Sequence, residues 1–198
     1  MQNNDLAEHD LIVIGASARG VEGIPKLAHS LPGDLAAAVL IAVPAAPHVP
    51  HLLTAILNKV SALPAHQAVH GHPIEKGQIY VAPPEQHLQV CRGCIHLDHG
   101  PRENGHRPAV DRLFRSAADF FGPRVVAVLL NGTRHDGTAG LHAVKSKGGI
   151  VIVQDPAEAL IPGVAENSGK FTDVDFCLPL LQIGNLLSRL AQPMMEFA

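Results

Sequence analysis

The chain has 198 residues, of which 46% are apolar and 17% charged, and its formal net charge is −3. This length and apolar fraction fit one globular domain and exclude a disordered chain. The small negative charge and the scarcity of aromatic residues exclude the basic and stacking surfaces on which nucleic-acid binders depend.

Nothing in the sequence predicts a membrane or export segment. The longest apolar stretch, residues 35–46, is too short to span a bilayer and contains Pro44. The N-terminus is polar and acidic, unlike a signal peptide. We therefore expect a cytoplasmic protein without membrane insertion, built as one domain over residues 1–198 with residues 1–9 as a flexible lead.

The first predicted element is a strand over Leu11–Ile14, which ends in the turn Gly15-Ala16-Ser17. An unbroken β-branched apolar run is typical of a strand buried on both faces of a parallel sheet. Gly15 and Gly20 permit a tight strand-to-helix turn, which raises Ser17 above the sheet edge where α/β proteins bind ligands. Ser17 then has three interpretations: a nucleophile, part of a phosphate-binding loop, or a cap of the next helix.

The rest of the chain alternates between helical and strand patterns. Apolar spacing predicts helices over 21–31, 52–60, 110–121, 138–147 and 180–190, and strands over 35–43, 124–130, 149–154 and 173–177. Between residues 66 and 97, short apolar pieces broken by Gly and Pro predict one short strand and a hairpin. The fold class is therefore α/β: a doubly wound, mainly parallel sheet flanked by helices, with an appended antiparallel hairpin.

Cysteine and histidine usage gives little support for a metal site. Cys91 and Cys94 flank Arg92-Gly93, which has the composition of a hairpin turn, and a single such pair is a weak zinc or redox signal. The 13 histidines are scattered through loops without metal-ligand spacing. We expect the histidines to be solvated surface residues.

Three predicted strands end in polar junctions. These junctions contain Ser17, then His48 and His51 within residues 44–51, and then Asp136 at the end of residues 131–136. The carboxyl ends of parallel strands share one edge, so a hydroxyl nucleophile, its base and an orienting acid can meet there. Alternatively, Asp136 caps the helix that begins beside it at Gly137.

Five segments carry a family resemblance: GAS at 15–17, GQIYVAPPEQHL at 77–88, HRPAVDRLFRSAA at 106–118, LLNGTRHDGTAGL at 129–141 and VQDPAEAL at 153–160. In this order they resemble motifs of the catalytic domain of the CheB-type chemotaxis protein-glutamate methylesterases, along nearly the whole chain. The resemblance implies hydrolysis of glutamate methyl esters on chemoreceptor helices and, in some members, deamidation of glutamine.

The resemblance also implies roles for individual residues. Ser17 is the expected nucleophile and Asp136 the orienting acid, while the backbone N–H groups of Ala18 and Thr133 occupy the oxyanion-hole positions. This chemistry needs no cofactor or metal. The implied partners are methylated chemoreceptor helices or a related signalling protein. Because the chain begins at the catalytic domain, we expect phosphorylation control to come from a separate receiver domain.

The catalytic histidine of the family has no direct counterpart, because its position holds Pro44, which cannot accept a proton. His48, four residues later, is the candidate substitute base, and His51 is a second candidate. Two functions therefore stay open. One is a working ester hydrolase that uses Ser17, His48 and Asp136, and the other is a catalytically impaired family member that acts as a binding or signalling module.

Two arginines stand where the family prefers glycine, Arg19 beside Ser17 and Arg134 after the strand over 124–130. Two guanidinium groups near Ser17 predict an anionic ligand. The alternative is ordinary pairing with a local acid such as Glu22.

Overall fold

The computed structural model describes residues 9–17, 20–44, 49–130, 136–158 and 174–192. The strands of this part of the chain are β1 (Leu11–Ala16), β2 (Ala38–Ala42), β3 (Ala65–Gln67), β4 (Ile79–Val81), β5 (His87–Cys91), β6 (Cys94–Asp98), β7 (Val125–Leu130), β8 (Ile150–Gln154) and β9 (Phe176–Leu178). Seven of them form one sheet in the order β3-β4-β2-β1-β7-β8-β9. All its described pairings are parallel, and β5 and β6 form a separate antiparallel hairpin.

The α-helices of the described residues are α1 (Gly23–His29), α2 (Val49–Val60), α3 (Val110–Phe121), α4 (Thr138–Ser146) and α5 (Leu180–Leu190). Alternate residues of the central strands feed two apolar cores, one on each face of the sheet. Ile12 and Ile14 face the core that includes α1, α2 and α5. Leu11 and Val13 face the core that includes α3, α4 and the hairpin. This arrangement confirms the doubly wound α/β fold.

Because the strands of the main sheet are parallel, the chain leaves all of them at one edge. In β1, Gly15 pairs with Ala42 of β2, and Ala16 pairs with Leu130 of β7. The carboxyl ends of these three central strands therefore lie side by side. We call this carboxyl edge the rim.

At the opposite edge of the sheet, where the strands begin, ion pairs link the strands. The Asp10 carboxylate immediately precedes β1 and accepts a hydrogen bond from Arg124 at 2.6 Å. Lys76, which comes shortly before β4, lies 3.8 Å from the same carboxylate oxygen. Asp10 thus joins the beginnings of three strands at the edge away from the rim.

Most predicted elements are confirmed with shifted ends, and α3 and α5 match their predicted bounds. The sequence missed β3, a three-residue edge strand over Ala65–Gln67. It also began the second helix at Leu52, whereas α2 begins at Val49, so His51 lies in the helix and not in the junction before it. Residues 1–8 of the predicted lead, and residues 159–173, which include the first residue of the strand predicted over 173–177, lie outside the described residues.

The hairpin turn predicted between Cys91 and Cys94 is confirmed. The two cysteines pair directly across the hairpin, and Arg92 and Gly93 between them have positive φ angles of 50° and 77°. Two adjacent residues with positive φ are characteristic of a type I′ turn, which matches the twist of the flanking strands. In the described residues, no helix is long and apolar enough to cross a membrane.

Candidate functional site

Ser17 is the first residue after β1, which lies in the middle of the sheet. Its side chain is half-buried, and its Oγ accepts a hydrogen bond from the backbone N–H of Gly20 at 3.1 Å. The same N–H also donates to the Ser17 carbonyl oxygen at 2.9 Å. Ser17 therefore caps the short 3₁₀ turn Gly20–Glu22, as one interpretation of the sequence expected.

Asp136 is fully buried at the end of the junction after β7. One carboxylate oxygen accepts the backbone N–H of Val110 at 2.9 Å, and the other accepts that of Asp111 at 3.1 Å. These two amides begin α3. The alternative that Asp136 caps the helix beside it is wrong, because its carboxylate binds the start of α3 and the Gly140 amide in the first turn of α4 is bound by Asp111. An anion at a helix N-terminus is electrostatically favourable.

Val110 connects Asp136 to the end of β1. A Cβ atom built on Gly15 would lie 2.3 Å from Cγ1 of Val110, so the first turn of α3 packs against the glycine backbone two residues before Ser17. A Cβ atom on Gly137 would lie 3.3 Å from the same methyl group. Ser17 and Asp136 thus belong to chain segments that meet around Val110.

Pro44 follows β2 at the rim. Gly15 and Ala42 are paired in neighbouring parallel strands, and Ser17 and Pro44 each lie two residues beyond that pair. Pro44 is half-buried. Proline has no group that accepts a proton at neutral pH, so this residue cannot act as a base.

A second buried carboxylate, Asp111, was not singled out by the sequence. It is 2% exposed; one of its oxygens accepts the backbone N–H of Gly140 at 2.6 Å and the other accepts Nδ2 of Asn104 at 2.8 Å. Burial raises the pKa of Asp111, and the nearby Asp136 carboxylate acts in the same direction. Its only sequence signal is its position in α3 beside the buried face formed by Val110 and Phe114.

His87 corrects the expectation that the histidines are solvated. It is fully buried, its Nδ1 accepts the backbone N–H of Ala109 at 3.2 Å, and its Nε2–H donates to the carbonyl oxygen of Pro101 at 3.0 Å. This pair of bonds requires the neutral imidazole with its proton on Nε2. Burial lowers the pKa of His87. Its role is to join the hairpin to the residue that precedes α3.

Several predicted site residues lie outside the described residues, so the structure does not place them. They are Ala18 and Arg19 after Ser17, His48 before α2, and Thr133 and Arg134 before Asp136. The other candidate base, His51, is exposed in the first turn of α2. Among the described residues, no group of three or more His, Cys, Asp or Glu side chains could hold a metal ion.

These features define a class of protein: a doubly wound α/β domain with a serine at a strand-to-helix turn and a buried acid behind the same rim. Such rims are where open α/β sheets bind their ligands.

The chain belongs to the CheB methylesterase family, whose sequence model matches residues 12–187. It is 37% identical over 183 residues to "Protein-glutamate methylesterase/protein-glutamine glutaminase 2" of Methanosarcina mazei, a match that covers 86% of this chain and 49% of that protein. It is 36% identical over 191 residues to a protein of the same name from Caulobacter vibrioides, covering 92% of this chain and 54% of that protein. The chain thus spans about half the length of these two relatives.

A solved structure confirms the fold. The Thermotoga maritima CheB methylesterase catalytic domain superposes with a TM-score of 0.85 at 29% sequence identity. The match covers 91% of this chain and 98% of that domain. The fold similarity therefore extends over almost the whole of a chain described as a catalytic domain.

Proposed function

We propose that the chain is a serine hydrolase that cleaves glutamate methyl esters on chemoreceptor helices, with Ser17 as the nucleophile. The observation that carries the proposal is the position of Ser17 at the end of the central strand β1, on a segment that meets the Asp136 segment around Val110. The family and the names of its relatives support the same reaction. Those names also include glutaminase activity, so glutamine deamidation is a second proposed reaction at the same serine.

The proposed reaction has two steps. A base takes the Ser17 proton, Oγ attacks the ester carbonyl, and methanol leaves with that proton, which gives a glutamyl-serine ester. Water, deprotonated by the same base, then hydrolyses this ester and restores the serine. The net change is ester plus water to carboxylate, methanol and one proton. The backbone N–H groups of Ala18 and Thr133 are the proposed donors to the oxyanion formed in each step.

Ser17 and Asp136, the two proposed catalytic residues that the structure describes, have the hydrogen-bonding capacity for nucleophile and orienting acid. A serine hydroxyl donates one bond and accepts two, so the capping bond from Gly20 is compatible with donation of the Oγ proton to a base. A carboxylate has about four acceptor positions, so Asp136 can bind two amides of α3 and also orient an imidazole N–H. His48 is the proposed base, and no cofactor takes part in the scheme.

A second candidate function is a binding or signalling module without hydrolysis. Pro44 favours it, because the family resemblance assigns this position to the catalytic histidine and proline cannot accept a proton. Loss of one member of a catalytic triad leaves only about 10³- to 10⁴-fold catalysis over water.

The partners proposed for either function are methylated chemoreceptor helices or a related signalling protein, with control by a separate receiver domain. An anionic ligand at Arg19 and Arg134 stays a prediction.

Labelling with a fluorophosphonate probe tests the proposal. We expect the wild-type protein to be labelled, Ser17→Ala to be unlabelled, and His48→Ala to lose at least about 10²-fold in labelling rate. His51→Ala tests the second candidate base and should react like wild type, whereas loss of labelling in this variant would assign the base to His51. Methanol release from a methylated receptor fragment should follow the same order. Absence of both labelling and methanol release in the wild type would select the binding module, and labelling that survives His48→Ala would remove His48 as the base.

A further inference from the structure

The proposed reaction uses Asp136 but leaves Asp111, the second buried carboxylate, without a task. Asp111 lies in the first turn of α3, and its backbone N–H donates to Asp136 at 3.1 Å. Its side chain points to the other helix, where it accepts the N–H of Gly140 in the first turn of α4 at 2.6 Å. The two carboxylates therefore bind reciprocally. Asp136, before α4, binds the start of α3, and Asp111, in α3, binds the start of α4.

These reciprocal bonds lie where the two helices are in close contact. A Cβ atom on Gly140 would lie 2.5 Å from Cβ of Phe114 and 3.2 Å from Cα of Asp111. Little space is left for α4 to shift against α3 here. Asp136 precedes α4 by two residues, so any shift of the start of α4 against α3 would displace its carboxylate.

The second oxygen of Asp111 is held by a tight turn. Asn104 and Gly105 have positive φ angles of 52° and 79°, and Glu103 and His106 exchange backbone hydrogen bonds across them. Both carboxylate oxygens of Glu103 bind the guanidinium of Arg115 at 2.7 Å. Asn104 thus presents its amide to Asp111 from a loop that is itself anchored to α3, one turn after Asp111.

We propose that Asp111 is a positioning residue that fixes the Asp136 carboxylate at the rim by tying the start of α4 to the start of α3. This inference rests on the proposed function. Asp111 contacts no reacting atom in the proposed scheme and acts through Asp136. The groups that face it are the Asp136 carboxylate, the Asn104 amide, the Gly140 N–H and, through charge, Arg115.

A double-mutant cycle tests the proposal through activity. We expect Asp111→Ala to lower kcat about 10- to 100-fold with KM nearly unchanged, because a misplaced orienting acid affects the transition state more than substrate binding. In an Asp136→Asn background, Asp111→Ala should cost almost nothing further. Equal losses in both backgrounds would overturn the proposal. Asp119→Ala, which removes an exposed acid from the same helix, is the matched control and should retain wild-type kcat.

Asp111→Asn separates position from charge and guards against a misfolded alanine variant. Its side-chain oxygen can still accept the Gly140 N–H, and the Asn104 amide can turn over to present its own oxygen. We expect this variant to recover most of the kcat lost in Asp111→Ala. A kcat for Asp111→Asn as low as that of the alanine variant would contradict positioning through the Gly140 bond.

Amide hydrogen exchange tests the positioning without reference to catalysis. In Asp111→Ala, we expect the Val110 amide, which Asp136 holds, to exchange at least about tenfold faster. The Leu187 amide in the distant α5 reports global unfolding and should exchange at the wild-type rate. Faster exchange at Gly140 alone would overturn the proposal. If Asp111→Ala shows this exchange pattern while the wild-type protein releases no methanol, the proposed function is refuted and the positioning stands.

Discussion

The side chain of Val110 fills the space that a Cβ atom on Gly15 would take: such an atom would lie 2.3 Å from Cγ1 and 3.0 Å from Cγ2 of the valine. This contact brings the start of α3 against the end of β1. It also explains why the penultimate residue of β1 is glycine, since any larger residue would push α3 and the attached Asp136 away from Ser17.

Gly15→Ala should therefore destabilise the protein by about 1–3 kcal/mol, the usual range for overpacking of a core. Val110→Ala should relieve most of this loss in the double variant, although it opens a cavity when made alone. Urea denaturation of the two single variants and the double variant measures the coupling. Gly33→Ala, where the nearest atom would lie 3.4 Å away, is the control. Additive losses for Gly15→Ala and Val110→Ala would contradict this account.

Asp136 should contribute to stability as well as to activity. In Asp136→Ala the buried amides of Val110 and Asp111 lose their acceptors, and each unsatisfied N–H costs about 1–3 kcal/mol. We expect the free energy of unfolding to fall by about 2–4 kcal/mol, and by less in Asp136→Asn, whose oxygen still accepts one amide. Denaturant titration of both variants checks this order. A stability of Asp136→Ala equal to wild type would show that water replaces the carboxylate.

His87 should make the protein less stable in mild acid. Burial lowers its pKa in the folded state below the ordinary value of 6.5, so the unfolded chain binds the proton more strongly. Its contribution to stability is thus complete above about pH 6.5 and is lost as the pH falls below that value. In His87→Gln, the side chain can make both hydrogen bonds without titrating, and the midpoint of thermal unfolding should change less between pH 7 and pH 5. A pH dependence that is identical in the variant and the wild type would remove His87 as the cause.

Asn58 should protect the edge of the sheet. Its side-chain amide accepts the Ala65 N–H at 2.9 Å and donates to the Ala65 carbonyl at 2.7 Å, so it takes the place of a neighbouring strand beside β3. Asn58→Ala exposes these groups, and exposed strand edges pair with other chains. We expect a loss of about 1–2 kcal/mol and concentration-dependent self-association in light scattering. Lys59→Ala, at the next position of α2, should do neither.

The spacing of apolar residues was sufficient to predict those helices and strands that bury a regular apolar face of their own. The regular spacing of Val110, Leu113, Phe114 and Ala117 predicted the bounds of α3, because that face is buried along its whole length. Strand β3 has no such pattern: it has three residues, and His66 in its middle is exposed. It is a strand because Asn58 and β4 pair with it on either side.

For the candidate site, the sequence predicted which residues follow the strands but not what they contact. Ser17 and Asp136 were expected at one edge of the sheet, and the contacts around Val110 agree with that expectation. The bonds of Asp136 to α3 join residues 25 and 26 positions apart, and that of Asp111 to Gly140 spans 29. Contacts between residues so far apart in the chain leave no periodic pattern in the sequence. The same holds for His87, which is buried by a loop 14 residues further along the chain.

The separation of the two sheet edges gives the protein a practical orientation. Asp10 gathers the strand beginnings with Arg124 and Lys76, and Ser17 lies at the other end of β1. Six residues of strand span about 20 Å. A dye or surface tether joined just ahead of β1 would therefore lie at the edge away from Ser17 and leave the rim of the immobilised protein open to large molecules.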